Sequence, residues 1–320
     1  MSDAIASQTA LLTAALARAR RGDARGVHQA RTTSRRLREL LPVADVAAPR
    51  AGALRARREL RRLTRALGTV RELDVAIAEF GGAASRAAWD RTAVRTVEQS
   101  LLAERDRAFA DVAHKLGGAD GDRLRTRLDA IAELVGGDPA PRVAERTLAR
   151  RLRRRASRVL AAVEAAGTLY APEQLHTVRI AVKKLRYSLE IARDAGALPI
   201  DAIVTSLKRQ QDVLGRLHDF ETLAARVRAS AVGAGRRTAL KIEEIALALD
   251  RECRELHATF LGHRDALSAL AARASDEVAR MLLGRGLPMI RIGAEGVGGR
   301  QARWRATREA GRAAHRTDVR

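Results

Sequence analysis

The chain has 320 residues, and 60 Lys and Arg against 38 Asp and Glu give it a formal net charge of +22 at pH 7. Its hydrophobic content of 46% excludes a disordered polycation, and its aromatic content of 2% argues against a module that stacks nucleic-acid bases on rings. One cysteine, Cys253, excludes a disulfide framework and a zinc site built from thiolates.

Apolar residues recur at three- and four-residue spacing along most of the chain, which predicts helices, and Ala, Leu and Arg favour them. Groups of Pro and Gly predict the loops between these helices, at residues 42–49, 81–82, 117–121, 136–141, 167–172, 196–199 and 233–235. We therefore predict an all-α fold, in which helices of about 20–30 residues pack as antiparallel bundles.

Two sequence blocks from the first half of the chain recur in the second half. Residues 27–38 read VHQARTTSRRLR, and residues 175–186 read LHTVRIAVKKLR. A second pair of blocks, residues 60–74 and 207–221, follows in the same order and at nearly the same separation. This order predicts an internal duplication, with the join near residues 136–141.

The duplication predicts two antiparallel helical bundles, one in each half of the chain. The first covers residues 1–136 and the second covers residues 142–283. Beyond them, residues 284–320 contain few large apolar residues, with nine Arg and six Gly after position 284, which is typical of a flexible basic tail.

We find no signal-peptide pattern and no apolar stretch of about 20 residues, and therefore expect a cytoplasmic protein outside the membrane.

Each copy of the first block places four basic residues within an arc of about 80° on one helix. They are His28, Arg31, Arg35 and Arg38 in the first copy, and His176, Arg179, Lys183 and Arg186 in the second. The next predicted helix carries a similar stripe, Arg55, Arg58, Arg62 and Arg65, whose counterpart in the second half keeps Lys208, Arg209 and Arg216. Asp212 stands where Arg65 would recur.

Like charges at this spacing repel one another, and the two stripes of the first block contain no carboxylate that would relieve the repulsion. An external polyanion held in a groove between the two halves would relieve it. The alternatives are that each stripe is a solvated helix face and that the two histidines are structural. For Asp74 and Asp219 we favour positioning of a nearby arginine or capping of a turn over catalysis.

These blocks resemble the CHAD family, α-helical domains that bind inorganic polyphosphate. The resemblance rests on H-x-x-R-x-x-x-[RK]-[RK]-L-R at residues 28–38 and 176–186 and on the Leu-Gly segments at 67–72 and 214–219, and it covers about residues 5–283. It implies two antiparallel four-helix bundles related by a pseudo-twofold axis. It also implies a basic channel between them, lined by His28, Arg31, Arg35, Arg36, Arg38, His176, Arg179, Lys183, Lys184 and Arg186. Arg58, Arg62, Lys208 and Arg209 are second-rank candidates.

The first functional hypothesis is a stand-alone, non-catalytic binder of long-chain inorganic polyphosphate that could associate with polyphosphate granules. The chain lacks an E-x-E-x-K motif, a Gly-rich phosphate loop and an acidic cluster for magnesium, so we expect no enzyme activity, no metal and no cofactor. Two alternatives stay open: a nucleic-acid-binding protein that uses the same basic surface, and a polyphosphate-processing enzyme. The sequence leaves the oligomeric state open.

Overall fold

A computed structural model of the chain describes residues 2–47, 52–115, 118–136, 141–194 and 200–284. These residues form nine α-helices and no β-strand, which confirms the predicted all-α fold. The helices are α1 (Ser2–Ala19), α2 (Ala24–Ala47), α3 (Ala53–Ala84), α4 (Arg91–Lys115), α5 (Gly118–Gly136), α6 (Pro141–Ala166), α7 (Pro172–Asp194), α8 (Asp201–Ala229) and α9 (Arg236–Gly284).

Some predicted loops lie between helices and others lie within them. The predicted join at 136–141 falls between α5 and α6, and the loops at 167–172 and 233–235 are also present. Helix α2 continues through Pro42, however, because Leu41 and Ala44 are fully buried and their burial outweighs the lost backbone donor.

The predicted breaks at residues 81–82 and 117–121 are also wrong in extent, since α3 continues to Ala84 and α5 already begins at Gly118. Residues 196–199 and 285–320, where we predicted a loop and a basic tail, lie outside the residues that the structure describes.

The first half of the chain packs around one apolar core. Helices α1, α2, α3 and α5 contribute fully buried side chains to it, among them Ile5, Leu37, Leu60 and Leu128. The first half contains five helices and the second half four, because α9, with 49 residues, spans a length that α4 and α5 cover together in the first half. The two four-helix bundles and the pseudo-twofold axis stay predictions.

The helices that carry the repeated blocks meet where the two halves join. Helix α2 contacts both α6 and α7, and α3 contacts α8. All of these helices belong to one compact unit, which the described residues up to Val278 form. The first block, on α2 and α7, is therefore brought to the same place from both halves.

The start of α2 is fixed by a cap and by a close helix contact. Asp23 accepts hydrogen bonds from the backbone N–H groups of Arg25 (3.0 Å) and Gly26 (3.1 Å), which satisfies donors that the first turn leaves open. A Cβ atom at Gly26 would lie 2.6 Å from the Cβ atom of Arg18 on α1. Glycine at this position lets the two backbones approach, and so sets where the basic face of α2 points.

We predict that Gly26→Ala lowers the free energy of unfolding by about 1–3 kcal/mol, because the added methyl group overlaps the α1 backbone. Gly81→Ala is the matched control, since nothing lies within 4 Å of the Cβ atom it would add. In a helix this control should stabilise the protein by up to about 1 kcal/mol. Denaturant unfolding measures both, and equal free energies of unfolding for the two variants would contradict the close contact.

Candidate functional site

Four basic side chains from the two halves converge where α2 meets α7. We call Arg31, Arg35, Arg179 and Lys183 the central cluster. Burial and the charges of the three arginines lower the pKa of Lys183 to about 6. The arginines keep their charge at any working pH, so Lys183 is the member that becomes neutral. The packing thus holds like charges together at a cost that a bound anion would remove.

Carboxylates neutralise this cluster only weakly. Among the described residues, Arg31, Arg35 and Lys183 form no ion pair, and the Nη2 atom of Arg179 lies 3.9 Å from the Oδ1 atom of Asp219. Arg31 instead donates from Nη1 to the carbonyl oxygen of Thr64 on α3, at 3.1 Å. Burial and the charge of Arg35 lower the pKa of Arg31 to about 10.

Gly68 on α3 leaves the space that the Arg31 guanidinium occupies. A Cβ atom at position 68 would lie 2.8 Å from the Nη1 atom of Arg31. At Gly215, its counterpart in the repeat, nothing lies within 4 Å of such an atom. The Leu-Gly segment therefore serves a positioning role in the first half that it does not serve in the second.

Two histidines face each other at one side of the central cluster. The Nδ1 atoms of His176 on α7 and His218 on α8 lie 3.4 Å apart, and their ring centroids lie 4.5 Å apart. Burial and the charge of Arg179 lower the pKa of both, to about 4 for His218. In the first half the matching positions are His28 and Arg71, and burial and the charge of Arg71 lower the pKa of His28.

Carboxylates gather where α3 and α8 approach the site. Burial raises the pKa of Asp219, while Arg179 opposes this rise and the charges of Glu79 and Glu72 add to it. Glu72 also favours the charged forms of Arg31, Arg179 and His176. Around the central cluster, the basic groups therefore lie mainly on α2 and α7, and the acidic groups Glu72, Glu79 and Asp219 lie on α3 and α8.

A second group of cations surrounds Glu39 on α2. Arg151 on α6 donates to the Oε2 atom of Glu39 at 2.7 Å, and Arg155 pairs with the same oxygen. Arg155 also donates to the carbonyl oxygen of Lys184, at 2.7 Å. We call the cations of this group the Glu39 cluster: Arg38, Arg57, Arg61, Arg151, Arg155 and Lys184.

The cations of the Glu39 cluster also lie close enough to repel one another. Burial and the charges of Arg57 and Arg61 lower the pKa of Arg38. Burial and the charges of Arg158 and Arg155 lower the pKa of Lys184. Arg35 adds to the effect on Arg38, so the Glu39 cluster is continuous with the central cluster along α2.

Other predicted residues of the first block lie elsewhere around these clusters. Arg186 is tied down, because it donates from Nε to the Oε1 atom of Gln211 at 2.9 Å and pairs with Glu190. Arg36 and His28 line an open depression of about 490 Å³ together with Arg25 and Arg71. His28 and Arg36 thus lie on the side of α2 that faces α1, whose Leu11 lines the same depression.

Among the described contacts, none joins the predicted stripe on α3 to the central cluster. Arg57 and Arg61 contribute to the lowered pKa of Arg38. Arg58 and Arg62 are exposed like Arg57 and Arg61, but they lie about 100° further round the helix. Arg55 lies 3.5 Å from Glu59, which also pairs with Arg127 of α5. Arg65 is exposed and, among the described contacts, has none with the site.

On α8, as on α3, the predicted site residues are exposed. Lys208, Arg209 and Arg216 are exposed, and the Arg216 guanidinium lies 5.7 Å from the ring centroid of Phe220. The side of α8 that meets the site instead carries Gln211, His218 and Asp219.

Sequence reasoning missed several residues of the site. Arg71 and His218 align in the second repeated block, and that alignment was the signal that could have selected them. Arg151 and Arg155 belong to the run RRLRRRASR at 150–158, which has no basic counterpart on α1 and so escapes a search for repeats. Asp74 contacts an arginine: the Nε atom of Arg105 donates to its Oδ1 atom at 3.2 Å, and Arg105 also donates to the carbonyl oxygen of Gly22 at 2.6 Å. Its assigned role stays a prediction.

Among the described residues, no group of three or more His, Cys, Asp or Glu side chains could hold a metal ion. No helix in that part of the chain is long and apolar enough to cross a membrane.

The fold and the site together define an all-helical protein with a basic site at the meeting point of two repeated helices. The family model of the CHAD domain matches residues 3–228, more than half of the chain, and the chain therefore belongs to the CHAD family. The resemblance found in the sequence is thereby confirmed. No curated protein matches the chain significantly.

Two solved structures have the same fold. The CHAD domain from the plant Ricinus communis is 20% identical to this chain, with a TM-score of 0.57 over 85% of this chain and 91% of that one. PptA from Streptomyces chartreusis is 19% identical, with a TM-score of 0.56 over 88% of this chain and 99% of that one.

We predict that Glu39→Gln lowers the free energy of unfolding by about 1–3 kcal/mol, because two charge-assisted hydrogen bonds between α2 and α6 are lost and their arginines then repel. High salt should restore part of the loss, since it screens that repulsion. Glu98→Gln, at an exposed position on α4, is the control. Thermal unfolding at low and high salt measures the effect, and a loss that salt leaves unchanged would contradict the charge argument.

Proposed function

We propose that this protein binds long-chain inorganic polyphosphate at the central cluster and the Glu39 cluster, without catalysing its turnover. The observation that carries the proposal is the central cluster itself, in which Arg31, Arg35 and Lys183 converge from two helices without a carboxylate partner among the described residues. A bound polyanion supplies the missing negative charge.

The shape of the basic surface supports an extended ligand. The basic residues of α2 that belong to the two clusters, Arg31, Arg35 and Arg38, span about 10 Å along the helix axis, and the Glu39 cluster lies at one end of this row. Arginine forks bind two phosphate oxygens at once, so a chain of linked phosphates matches the row better than a compact anion.

Membership of the CHAD family supports the same ligand, because the resemblance implies binding of inorganic polyphosphate. Association with polyphosphate granules in the cytoplasm would follow from such binding.

We predict that Arg31→Gln, Arg35→Gln, Arg179→Gln and Lys183→Gln together weaken binding of long-chain polyphosphate by about a hundredfold or more, since four charge-assisted contacts are lost. A control chain with Arg95, Arg237, Arg254 and Arg273 changed to Gln loses the same formal charge at exposed positions away from the site. It should lose less than about tenfold, through general electrostatics alone. Isothermal titration calorimetry measures both dissociation constants.

Equal losses in the two chains would show that binding depends on net charge and not on this site. The same titrations with duplex DNA at equal phosphate concentration distinguish the ligands. If DNA binds as tightly as polyphosphate and needs the same four residues, the proposal gives way to a nucleic-acid-binding function. Release of phosphate from polyphosphate by the purified protein would contradict the non-catalytic part.

The structure also predicts which face of α3 meets the ligand. Arg57→Gln with Arg61→Gln should weaken binding by about tenfold or more, because both residues belong to the Glu39 cluster and place their positive charges near Arg38. Arg58→Gln with Arg62→Gln removes the same charge from a face about 100° away and should have a clearly smaller effect. If the variant changed at Arg58 and Arg62 bound polyphosphate more weakly than the variant changed at Arg57 and Arg61, the stripe predicted from the sequence would be supported instead.

A further inference from the structure

The packing of α2 against α7 brings basic groups of both halves together, and among the described residues only Arg179 of the central cluster has a carboxylate within 4 Å. Arginines do not give up their protons near neutral pH, so the repulsion must be relieved by the basic groups with the lowest intrinsic pKa. In this site those groups are Lys183 and the two histidines, His176 and His218.

The geometry of the histidine pair limits its charge. The two Nδ1 atoms face each other at 3.4 Å, so one can donate to the other only while one ring is neutral. A second proton would place two N–H donors against each other. Glu221 on α8 lies 3.9 Å from the Nδ1 atom of His218, so it can stabilise a proton on that ring when one arrives.

Lys183 is confined by positive groups on both helices that surround it. Its charged neighbours are Arg31 and Arg35 from α2, and Arg179 and Lys184 from α7. The histidine pair faces Glu72 from α3, Arg179 and Lys183 from α7, and Glu221 from α8. The negative groups among these, Glu72 and Glu221, face the histidines and not Lys183. Lys183 therefore has the fewest neighbours that stabilise its protonated form.

We propose that the protein takes up protons when a polyanion enters the central cluster, with Lys183 and the His176–His218 pair as acceptors, so that it binds more tightly as the pH falls. This inference rests on the proposed function, because it concerns the same site. An anion beside Lys183 adds an attracting charge among its four repelling neighbours, which favours the protonated amine.

The two kinds of acceptor act in different pH ranges. Lys183 has a pKa of about 6 in the free protein, and an anion moves it back toward the ordinary value of 10.5, so it takes up its proton between these limits. The histidines take up theirs lower, since the pKa of His218 is about 4 and its ordinary value is 6.5. Near pH 8 Lys183 alone should respond, and near pH 6 the histidines should respond as well.

Calorimetric titration with long-chain polyphosphate in two buffers of different ionisation enthalpy counts the protons. Interior phosphate groups of a long chain stay ionised in this range, so the ligand contributes few protons of its own. Near pH 8 we expect uptake approaching one proton per site, and a dissociation constant that rises by up to about tenfold per pH unit above that.

Lys183→Arg is the main variant, because it keeps a permanent charge in place of a titrating one. It should bind with no proton uptake near pH 8 and should bind more tightly than the wild type at about pH 9, where the lysine must first be protonated. Lys183→Gln should also show no uptake, with weaker binding. Circular dichroism confirms that both variants are folded, and the second serves if arginine does not fit.

A double variant tests the part that the histidine pair plays in proton uptake. His176→Gln with His218→Gln should leave the uptake near pH 8 unchanged and reduce the additional uptake near pH 6. Tight binding by the wild type with no proton uptake at either pH, or the same uptake in wild type and Lys183→Arg, would overturn the inference and leave the proposed function standing. Absence of any polyphosphate binding would overturn the proposed function itself.

Discussion

The feature on which the rest depends is repulsion among like charges that the fold forces together. Packing of α2 against α7 places Lys183 beside Arg31, Arg35 and Arg179. This arrangement costs free energy in the free protein, and the apolar core of α1, α2, α3 and α5 offsets it through buried residues such as Leu37 and Leu60. An anion bound among these side chains would therefore lower the free energy of the folded protein.

The acidic groups near the site form their close ion pairs with its outer cations. Glu39 fixes Arg151 and Arg155 and so joins α6 to α2, while Asp219 lies at 3.9 Å from Arg179 without closing a tight pair. Carboxylates therefore hold the outer cations in place, whereas Arg31, Arg35 and Lys183 have no ion pair in the described part of the chain. A protein that only needed to neutralise its own charge would place a carboxylate beside Lys183.

The sequence predicted the all-α fold and the helices α2 and α7, because periodic apolar residues and a duplicated block are local signals. It could not predict which face of α3 meets α2, since that depends on Thr64 and Gly68 accepting the Arg31 side chain. The α6 arginines were missed because only one half of the chain carries them. The pairing of Arg186 with Glu190 lies four residues along one helix and could have been anticipated.

An experimental structure of the protein with bound long-chain polyphosphate would locate the ligand relative to the crowded cations. We expect a row of phosphate groups between α2 and α7, with oxygens in hydrogen-bonding distance of Arg35 and Lys183. Phosphate density on the exposed faces of α3 and α8, beside Arg62 and Arg209, with Lys183 left without contact, would contradict this expectation.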